Sequence, residues 1–210
     1  MTTYNSLNVY EISLSWVVFW GSYWIFGIIM SYYAEKKGIR KILKLDKVVK
    51  NLLINMFVSF FGLHIMFNLP LCIFDEYNSI LKIMICILTS EVWFYHTHIM
   101  LHQQKLYVLF HKKHHEFTEP YALTGIYCSL YELIFCNIPT IALGPILTNM
   151  NPILMYIWVV VVSFNVTFTH SGIGKEYDLN DHDIHHSSFK YNYGTLYIFD
   201  ALYGTLKSQY

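Results

Sequence analysis

Charged residues are scarce in this 210-residue chain. Asp, Glu, Lys and Arg make up only 13% of it, while hydrophobic residues make up 55%. Ordinary soluble domains carry about a quarter charged residues. The formal net charge is zero, so nothing indicates a nucleic-acid partner. Because the apolar residues are concentrated in long stretches, the composition indicates a membrane protein.

Several common ligand patterns for metals and disulfides are also absent. The cysteines lie in apolar segments without a C-x-x-C motif, and we interpret them as small core residues. The chain has neither the E-x-x-H pairs of soluble di-iron bundles nor the H-E-x-x-H motif of zinc proteases. Any metal site must therefore use another pattern. The four cysteines are Cys72, Cys86, Cys128 and Cys136.

Three apolar stretches are long enough to cross a bilayer, for which about 20 residues suffice. They are residues 12–33, 52–74 and 79 to about 100. A fourth apolar region, 127–169, contains Pro139, Gly144 and Pro145 and a turn sequence at 148–152, so it predicts a hairpin that crosses fully or dips part-way. We therefore expect an all-α, polytopic membrane bundle forming one structural domain overall.

The basic residues predict the orientation of this bundle. Residues 34–50 hold seven of the chain's 14 Lys and Arg residues, whereas the connector 75–78 holds none. The positive-inside rule then places the loop 34–50 in the cytosol and the connector on the far side. The third span returns the chain to the cytosolic face from about residue 98 onward.

Eight of the 11 histidines fall into three clusters on this predicted face. On a helix, positions i, i+3 and i+4 share an arc of about 100°, so each cluster would present its imidazoles together. Eight imidazoles exceed the four ligands of a structural zinc and suit two metal ions with room for a further ligand. Imidazole binds iron, copper and zinc alike, which leaves the metal open. The clusters are His98 and His102; His111, His114 and His115; and His182, His185 and His186.

The segments around these histidines resemble the fatty acid hydroxylase/sterol desaturase superfamily of membrane di-iron enzymes. "EVWFYHTHIMLH" (91–102) resembles the first histidine box of that family, and "HKKHHEFTEPYAL" (111–123) resembles sterol methyl oxidases and sterol hydroxylases. "HDIHHSSFKYNYG" (182–194), followed by Asp200 and "YGT" (203–205), is similar to sterol carbon-5 desaturases, and "HSG" (170–172) to the methyl oxidases. The resemblance implies a catalytic region in 91–210, preceded by membrane spans and a basic loop in 1–90.

The chain departs from the family pattern at several positions. His96 and Ile99 stand where the family usually has Trp and Arg. Ser129 and Leu130 break the Tyr-x-His-Pro-x-Glu signature of the methyl oxidases, although Glu132 keeps its acid. The three histidine clusters correspond to the first, second and third histidine boxes of the family, and these departures leave all eight of their histidines intact. The departures weaken the assignment of the chain to a family member with one particular substrate.

The resemblance also implies a chemistry. Such enzymes use two Fe ions and O2 to hydroxylate or desaturate a lipid C–H bond. A sterol is the first-choice substrate, with a fatty acyl or sphingolipid chain next. Because the chain is too short to carry a reductase domain, electrons are expected from NAD(P)H through separate carriers, cytochrome b5 and its reductase. The expected location is the endoplasmic reticulum membrane, with the active site on the cytosolic face.

Four further residues have predicted roles. His170, at the end of the last apolar arm, is a candidate ninth ligand. Glu91 lies on the same helical face as His98, and we expect it to orient a ligand imidazole or to make a polar contact between helices. His96 is expected to point away from the metal, and His64 to be a hydrogen-bonded core residue.

Two other classes of protein are alternatives to an oxygenase. They are a membrane haem-binding electron carrier and a metal transporter.

Overall fold

The computed structural model describes residues 7–174 and 182–207. Within these ranges the regular secondary structure is entirely helical, which confirms the predicted all-α fold. The α-helices are α1 (Val9–Lys36), α2 (Leu45–Phe67), α3 (Ser79–Leu101), α4 (Gln104–Leu106), α5 (Leu130–Glu132), α6 (Ile138–Leu147), α7 (Pro152–Ser171), α8 (His182–Ser188) and α9 (Ile198–Tyr203). Two π-helical turns, Tyr107–His111 and Leu133–Asn137, extend α4 and join α5 to α6, and 3₁₀ turns form at His114–Glu116 and Ala122–Thr124.

Among the residues that the structure describes, five helical segments are long and apolar enough to cross a membrane. They are α1, α2, α3, the continuous segment Leu130–Leu147 and α7. Large apolar side chains such as Ile29 on α1 and Phe57 on α2 are more than half exposed on the outside of the bundle. An apolar outer surface of this extent is stable in lipid rather than in water. The chain is therefore a polytopic integral membrane protein.

Local signals explain the limits of α1 and α3. The side chain of Asn8 accepts a hydrogen bond from the backbone of Glu11, whose carboxylate in turn accepts from the backbone of Asn8. This capping box starts α1 three residues before the predicted span. Asn78 caps α3 by accepting from the Leu81 amide at 3.1 Å, and the predicted third span is confirmed.

The limits predicted for the second span were wrong. The helix begins at Leu45 and ends at Phe67, whereas the apolar stretch suggested 52–74. It ends early because Pro70 follows closely and disfavours helical geometry in the residue before it. It begins early because Asp46 and Lys47, in the first turn, are compatible with a helix even though they lower the local hydropathy.

The arm 130–147 reaches the far end of the bundle. The backbone amides of Ile73 and Phe74, in the connector between α2 and α3, donate to the carbonyl of Leu147 at 2.9 and 2.8 Å. Asn149, in the turn before α7, donates to Asp75 in the same connector at 3.0 Å. The arm thus extends as far as its neighbouring helices, so a hairpin that dips only part-way does not describe it.

The basic loop lies at the opposite end, together with the histidines. Lys44 and Lys47 form ion pairs with Glu116, the residue after the second cluster, at 2.8 and 2.6 Å. The C-terminal ends of α3 and α7, which carry His98 and His170, lie at this end as well. The loop that predicts the orientation and the histidine clusters therefore share one end of the bundle.

A buried loop, residues 117–128, connects the second cluster to the membrane helices. The Tyr23 hydroxyl donates to the carbonyl of Leu123 at 2.9 Å and accepts from the Ile126 amide at 3.0 Å. Asn51 on α2 both donates to the Cys128 carbonyl and accepts from the Cys128 amide, at 3.1 Å each. Side chains of α1 and α2 thus satisfy the backbone of this loop where water is excluded, and they fix the second cluster above the bundle.

Candidate metal centre

Nine histidines converge at one end of the bundle in two groups. Within each group the ligand nitrogens lie within 4.8 Å of one another. The five-histidine group contains His98, His102, His111, His115 and His185, and the four-histidine group contains His114, His170, His182 and His186. All eight histidines of the three boxes take part, together with His170.

The spacing of the ring nitrogens fits ligands of a common ion. In the five-histidine group, Nε2 of His115 lies 3.0 Å from Nε2 of His111 and 3.2 Å from Nε2 of His102. In the four-histidine group, Nε2 of His170 lies 3.2 Å from Nε2 of His182 and 3.5 Å from that of His114. Imidazoles bound at about 2.0–2.1 Å to one metal place adjacent nitrogens about 2.9–3.4 Å apart.

The hydrogen-bond partners of the Nδ1 atoms show which of the Nε2 atoms carry lone pairs. Nδ1 of His98 lies 2.7 Å from the carbonyl of Tyr193, and Nδ1 of His185 lies 2.8 Å from that of Tyr191. A carbonyl can only accept, so in a neutral ring Nδ1 bears the hydrogen and Nε2 bears a lone pair. This arrangement is typical of metal-bound histidine, whose other nitrogen is held by a backbone carbonyl or a carboxylate.

The four-histidine group has the same arrangement. Nδ1 of His170 lies 2.8 Å from the carbonyl of Val166 within α7, and Nδ1 of His186 lies 3.1 Å from that of Phe117. Nε2 of His186 is buried and has no hydrogen-bond partner within residues 7–174 and 182–207. A buried nitrogen without a partner is costly to desolvate, and a cation held by the four imidazoles would offset that cost.

Glu132 contributes a carboxylate to the five-histidine group. Its Oε2 lies 2.9 Å from Nδ1 of His111, although the angle at this contact departs from that of an ideal hydrogen bond. Within the described residues neither atom has a hydrogen-bond partner, so the contact places an acid beside His111 without fixing which ring nitrogen carries the hydrogen. Nε2 of His111 lies 3.1 Å from Nε2 of His98, a separation that suits two ligands of one cation.

Burial keeps the clustered imidazoles neutral. It lowers the pKa of His111 to about 3 and that of His114 to about 4, and, with the neighbouring imidazoles, it lowers the pKa of His102 to about 2. The pKa values of His115 and of the three α8 histidines are lowered for the same two reasons. Because a neutral imidazole is the form that binds metal, the rings are available as ligands at neutral pH.

The second box divides its ligands between the two groups. The expected regular α-helix is absent here, since His111 ends a π-helical turn and His114 begins a 3₁₀ turn. His111 and His115 nevertheless belong to one group and His114 to the other. The third box, on α8, is a true α-helix, and it likewise gives His185 to the five-histidine group and its other two histidines to the four-histidine group.

Two buried acids hold the C-terminal segment against the five-histidine group. Glu91 is fully buried and accepts four hydrogen bonds, including those from the amides of Thr195 at 2.8 Å and Ile198 at 2.9 Å. Asp200 accepts from the amides of Tyr193 and Gly194 at 2.8 and 2.7 Å.

Within the described residues these bonds of Glu91 go to the segment 195–198 and not to an imidazole, so its influence on His98 runs through this segment. Gly194 is required between the acids because a Cβ there would lie 2.5 Å from Glu91 Oε1.

A cavity inside the bundle opens onto both histidine groups. Including the part that is open to the surroundings, it measures about 770 Å³, and its lining includes His98, His170, Glu132 and Asn165. A second, almost wholly apolar cavity, which measures about 480 Å³ including its open part, adjoins the first and is lined on α7 by Met155 and Val159. Four residues line both cavities: Phe19, Ile126, Asn137 and Ile141. From Met155 to His170 the rise along α7 is about 22 Å.

The remaining histidines lie outside the centre. His96 is exposed, and its ring packs against Phe199 and Tyr203. His64 is half-buried, with Nε2 3.2 Å from the Ser13 hydroxyl and Nδ1 2.8 Å from the carbonyl of Phe60.

Sequence reasoning did not assign a role in the site to Glu132, although its place in the Tyr-x-His-Pro-x-Glu signature was a signal. No sequence signal marks the backbone carbonyls that hold the imidazoles, because every residue has a backbone carbonyl.

The fold and the site together describe a membrane protein with two histidine groups, each of which could hold a metal ion, beside an apolar cavity. The family model described as "Fatty acid hydroxylase" matches residues 83–205, more than half of the chain. The chain therefore belongs to the fatty acid hydroxylase family.

Similar proteins carry two kinds of name. "Fatty acid hydroxylase domain-containing protein 2" of Homo sapiens is 31% identical over 128 residues, 60% of this chain and 38% of that protein. "Methylsterol monooxygenase erg25B" of Aspergillus fumigatus is 28% identical over 152 residues, 65% of this chain and 50% of that protein. "Methylsterol monooxygenase 1" of Rattus norvegicus is 26% identical over 144 residues, which are 61% of this chain and 47% of that protein.

The chain thus spans about a third to a half of the length of the curated relatives it matches. No solved structure matches it.

Proposed function

We propose that this protein is a membrane-bound di-iron oxygenase that hydroxylates or desaturates a lipid C–H bond. The observation that carries the proposal is the convergence of nine neutral imidazoles in two groups, in which neighbouring Nε2 atoms lie 3.0–3.5 Å apart. Nitrogen ligands leave the choice among iron, copper and zinc open, and the family resemblance favours iron. When bound, such a pair activates O2 with two external electrons and so permits oxidation of an unactivated C–H bond.

The chain's own residues would bind and orient both partners of this reaction. Backbone carbonyls hold the Nδ1 hydrogens of four of the imidazoles, which directs their Nε2 lone pairs inward; these are His98, His170, His185 and His186. The rings of His98 and His185 are almost fully buried, so water is largely excluded from the five-histidine group. The apolar cavity beside the centre would align a long lipid so that one carbon faces the metals and the rest lies along α7.

A sterol is the proposed substrate, with a fatty acyl or sphingolipid chain as the second candidate. Several relatives carry names of methylsterol monooxygenases, and the names of others refer to fatty acid hydroxylase. The two adjoining cavities border α7 from Met155 to His170, a helical rise of about 22 Å, which supports an elongated apolar substrate of either class. Electrons would come from NAD(P)H through cytochrome b5 and its reductase, at the cytosolic face of the endoplasmic reticulum. The common location of the basic loop and the histidines supports this orientation.

The geometry favours an oxygenase over the other two classes. A haem carrier needs two axial imidazoles with a porphyrin between them, whereas neighbouring imidazoles here are only 3.0–3.5 Å apart at their Nε2 atoms. A metal transporter would place its ligands near the middle of the membrane, whereas these lie at the ends of α3 and α7. A Soret band in the purified protein would favour the haem carrier, and metal uptake by vesicles would favour the transporter.

Lipid profiling of a sterol-producing host tests the proposal. Extracts are compared after expression of the wild type, of His115→Ala in the centre, and of His96→Ala as a matched control outside it. We expect a new hydroxylated or unsaturated sterol with the wild type and with His96→Ala, and none with His115→Ala. A new oxidised acyl chain instead would favour the second substrate class. Identical extracts from all three strains would contradict the oxygenase function.

A further inference from the structure

One residue of the basic loop differs from the others in its environment. The loop 34–50 holds seven Lys and Arg residues, of which six are exposed, whereas Arg40 retains only 6% exposure. Burying a guanidinium is costly unless its donors are satisfied and its charge is paired. Membrane orientation needs only charge near the surface, so it does not explain why this charge is buried.

Arg40 contacts three separate segments of the chain. Its Nη2 forms a buried ion pair with Asp183 on α8. Its Nε donates to the carbonyl of Pro120 at 2.8 Å. Its guanidinium also packs against Gly172, where a Cβ would lie 2.6 Å from Cζ of Arg40. The φ of Gly172 is +74°, a conformation that also favours glycine.

These three segments supply every ligand of the four-histidine group. Pro120 lies in the buried loop 117–128, which comes shortly after His114 in the sequence. Gly172 lies two residues after His170, at the end of α7. Asp183 is the neighbour of His182 on α8, the helix that also carries His186. The five-histidine group has a further support of its own. His98 lies on α3, His102 directly follows that helix, and the C-terminal segment bound by Glu91 and Asp200 contacts His98 through the carbonyl of Tyr193. Its other three ligands lie in the second cluster and on α8.

We propose that Arg40 is a positioning residue that assembles the four-histidine group, and thereby one of the two metal sites. Its planar fork can pair with a carboxylate while donating to a carbonyl, so one side chain fixes the distances among three ligand-bearing segments. The inference rests on the proposed metal binding. It adds that the two sites depend on different supports and can be separated by mutation.

Metal content against increasing chelator concentration, measured on the full-length protein in detergent, tests this inference. The variants are Arg40→Ala, Arg40→Lys and, as a matched control, Lys41→Ala at the exposed neighbouring position. Loss of a group that orients metal ligands typically costs about 10–100-fold in affinity. We expect Arg40→Ala to lose about one of about two metals at chelator concentrations that leave the wild type and Lys41→Ala loaded.

Arg40→Lys keeps a charge for Asp183 but lacks the fork, so we expect it to lose the same metal at an intermediate chelator concentration. A second substitution identifies the site that was lost. Adding His170→Ala to Arg40→Ala should leave the metal content unchanged, whereas adding His102→Ala should remove the remaining metal. A helical circular dichroism spectrum equal to that of the wild type shows that the fold persists.

Two outcomes overturn the inference. One is full retention of both metals by Arg40→Lys and, where it folds, by Arg40→Ala. The other is parallel loss of both metals with no intermediate. A wild type that binds no metal would instead contradict the proposed function, so the two failures are distinguishable.

Discussion

Glu91 offers the most direct way to separate support of the centre from ligation. In Glu91→Ala, the amides of Thr195, Leu196 and Ile198 and the Thr195 hydroxyl lose their acceptor. These groups are partly buried, so each loss costs about 1 kcal/mol, the low end for unsatisfied groups, and the sum is about 4 kcal/mol. For a chain of this size that corresponds to a fall in melting temperature of about 8–16 °C.

Glu91→Gln should be milder for a definite reason. The amide oxygen can take the position of Oε2 and keep three of the four bonds, while the NH2 group faces the amide of Ile198 and loses the fourth. We expect a loss of about 1–2 kcal/mol. Both variants should also weaken metal binding by the five-histidine group, because Tyr193, whose carbonyl holds His98, lies two residues before Thr195.

Thermal unfolding in detergent, followed by circular dichroism with and without added metal, measures both effects. Glu76→Gln, at an exposed acid in the connector between α2 and α3, is the matched control and should melt like the wild type. The reasoning would be refuted if Glu91→Ala and Glu76→Gln had equal melting temperatures. An equal response of Glu91→Ala and the wild type to added metal would refute the link to His98.

Three further predictions concern the ligands, the pH response and the cavity. His114→Ala should remove metal and abolish turnover while membrane insertion persists, whereas His96→Ala should keep most of its activity. Metal and product assays measure both effects. Equal losses in the two variants would contradict the assignment of His114 to the metal centre and of His96 to its outside. The pKa values of His102, His111 and His114 are lowered from 6.5 to about 2, 3 and 4, so between about pH 4 and 6.5 the unfolded chain binds protons that the folded chain does not. The metal-free protein should therefore lose stability as pH falls below about 6.5, by roughly 4 kcal/mol per pH unit from these three residues, and pH-independent unfolding by denaturant would contradict this. Met155→Trp, at the far end of the apolar cavity, should shift product formation towards shorter lipids with unchanged metal content, and an unchanged product profile would contradict the alignment along α7.

The histidine spacing was informative because metal ligands must be close together. The spacing of the box histidines singled them out from the sequence, and the position of His170 at the end of the last apolar arm singled out the ninth candidate. One helical turn in the second box was expected to serve two neighbouring metals, and both the second and the third box do divide their histidines between the two groups. The change from a π-helical to a 3₁₀ turn between His111 and His114 could not be foreseen. No residue pattern in "HKKHH" specifies that change.

Residues that act over long separations in sequence were harder to assign. Arg40 and Asp183 are 143 positions apart, and Glu91 and Thr195 are 104 apart. Membrane orientation was a sufficient explanation for the charge of Arg40, and the helical face shared with His98 was one for Glu91. The sequence therefore indicated neither Asp183 as the partner of Arg40 nor the segment 195–198 as the partner of Glu91. The second span shows a similar limit, because hydropathy locates apolar surface, whereas Pro70 and the charged first turn determine where α2 ends and begins.

The metal content of the purified protein tests the central claim most directly. The protein is extracted in mild detergent, supplied with Fe(II) without oxygen, freed of loosely bound metal and analysed for metals and protein together. Two groups of imidazoles predict about two irons per chain, bound in a form that supports lipid oxidation when O2 and electrons are supplied. A single zinc per chain with full activity would contradict the account.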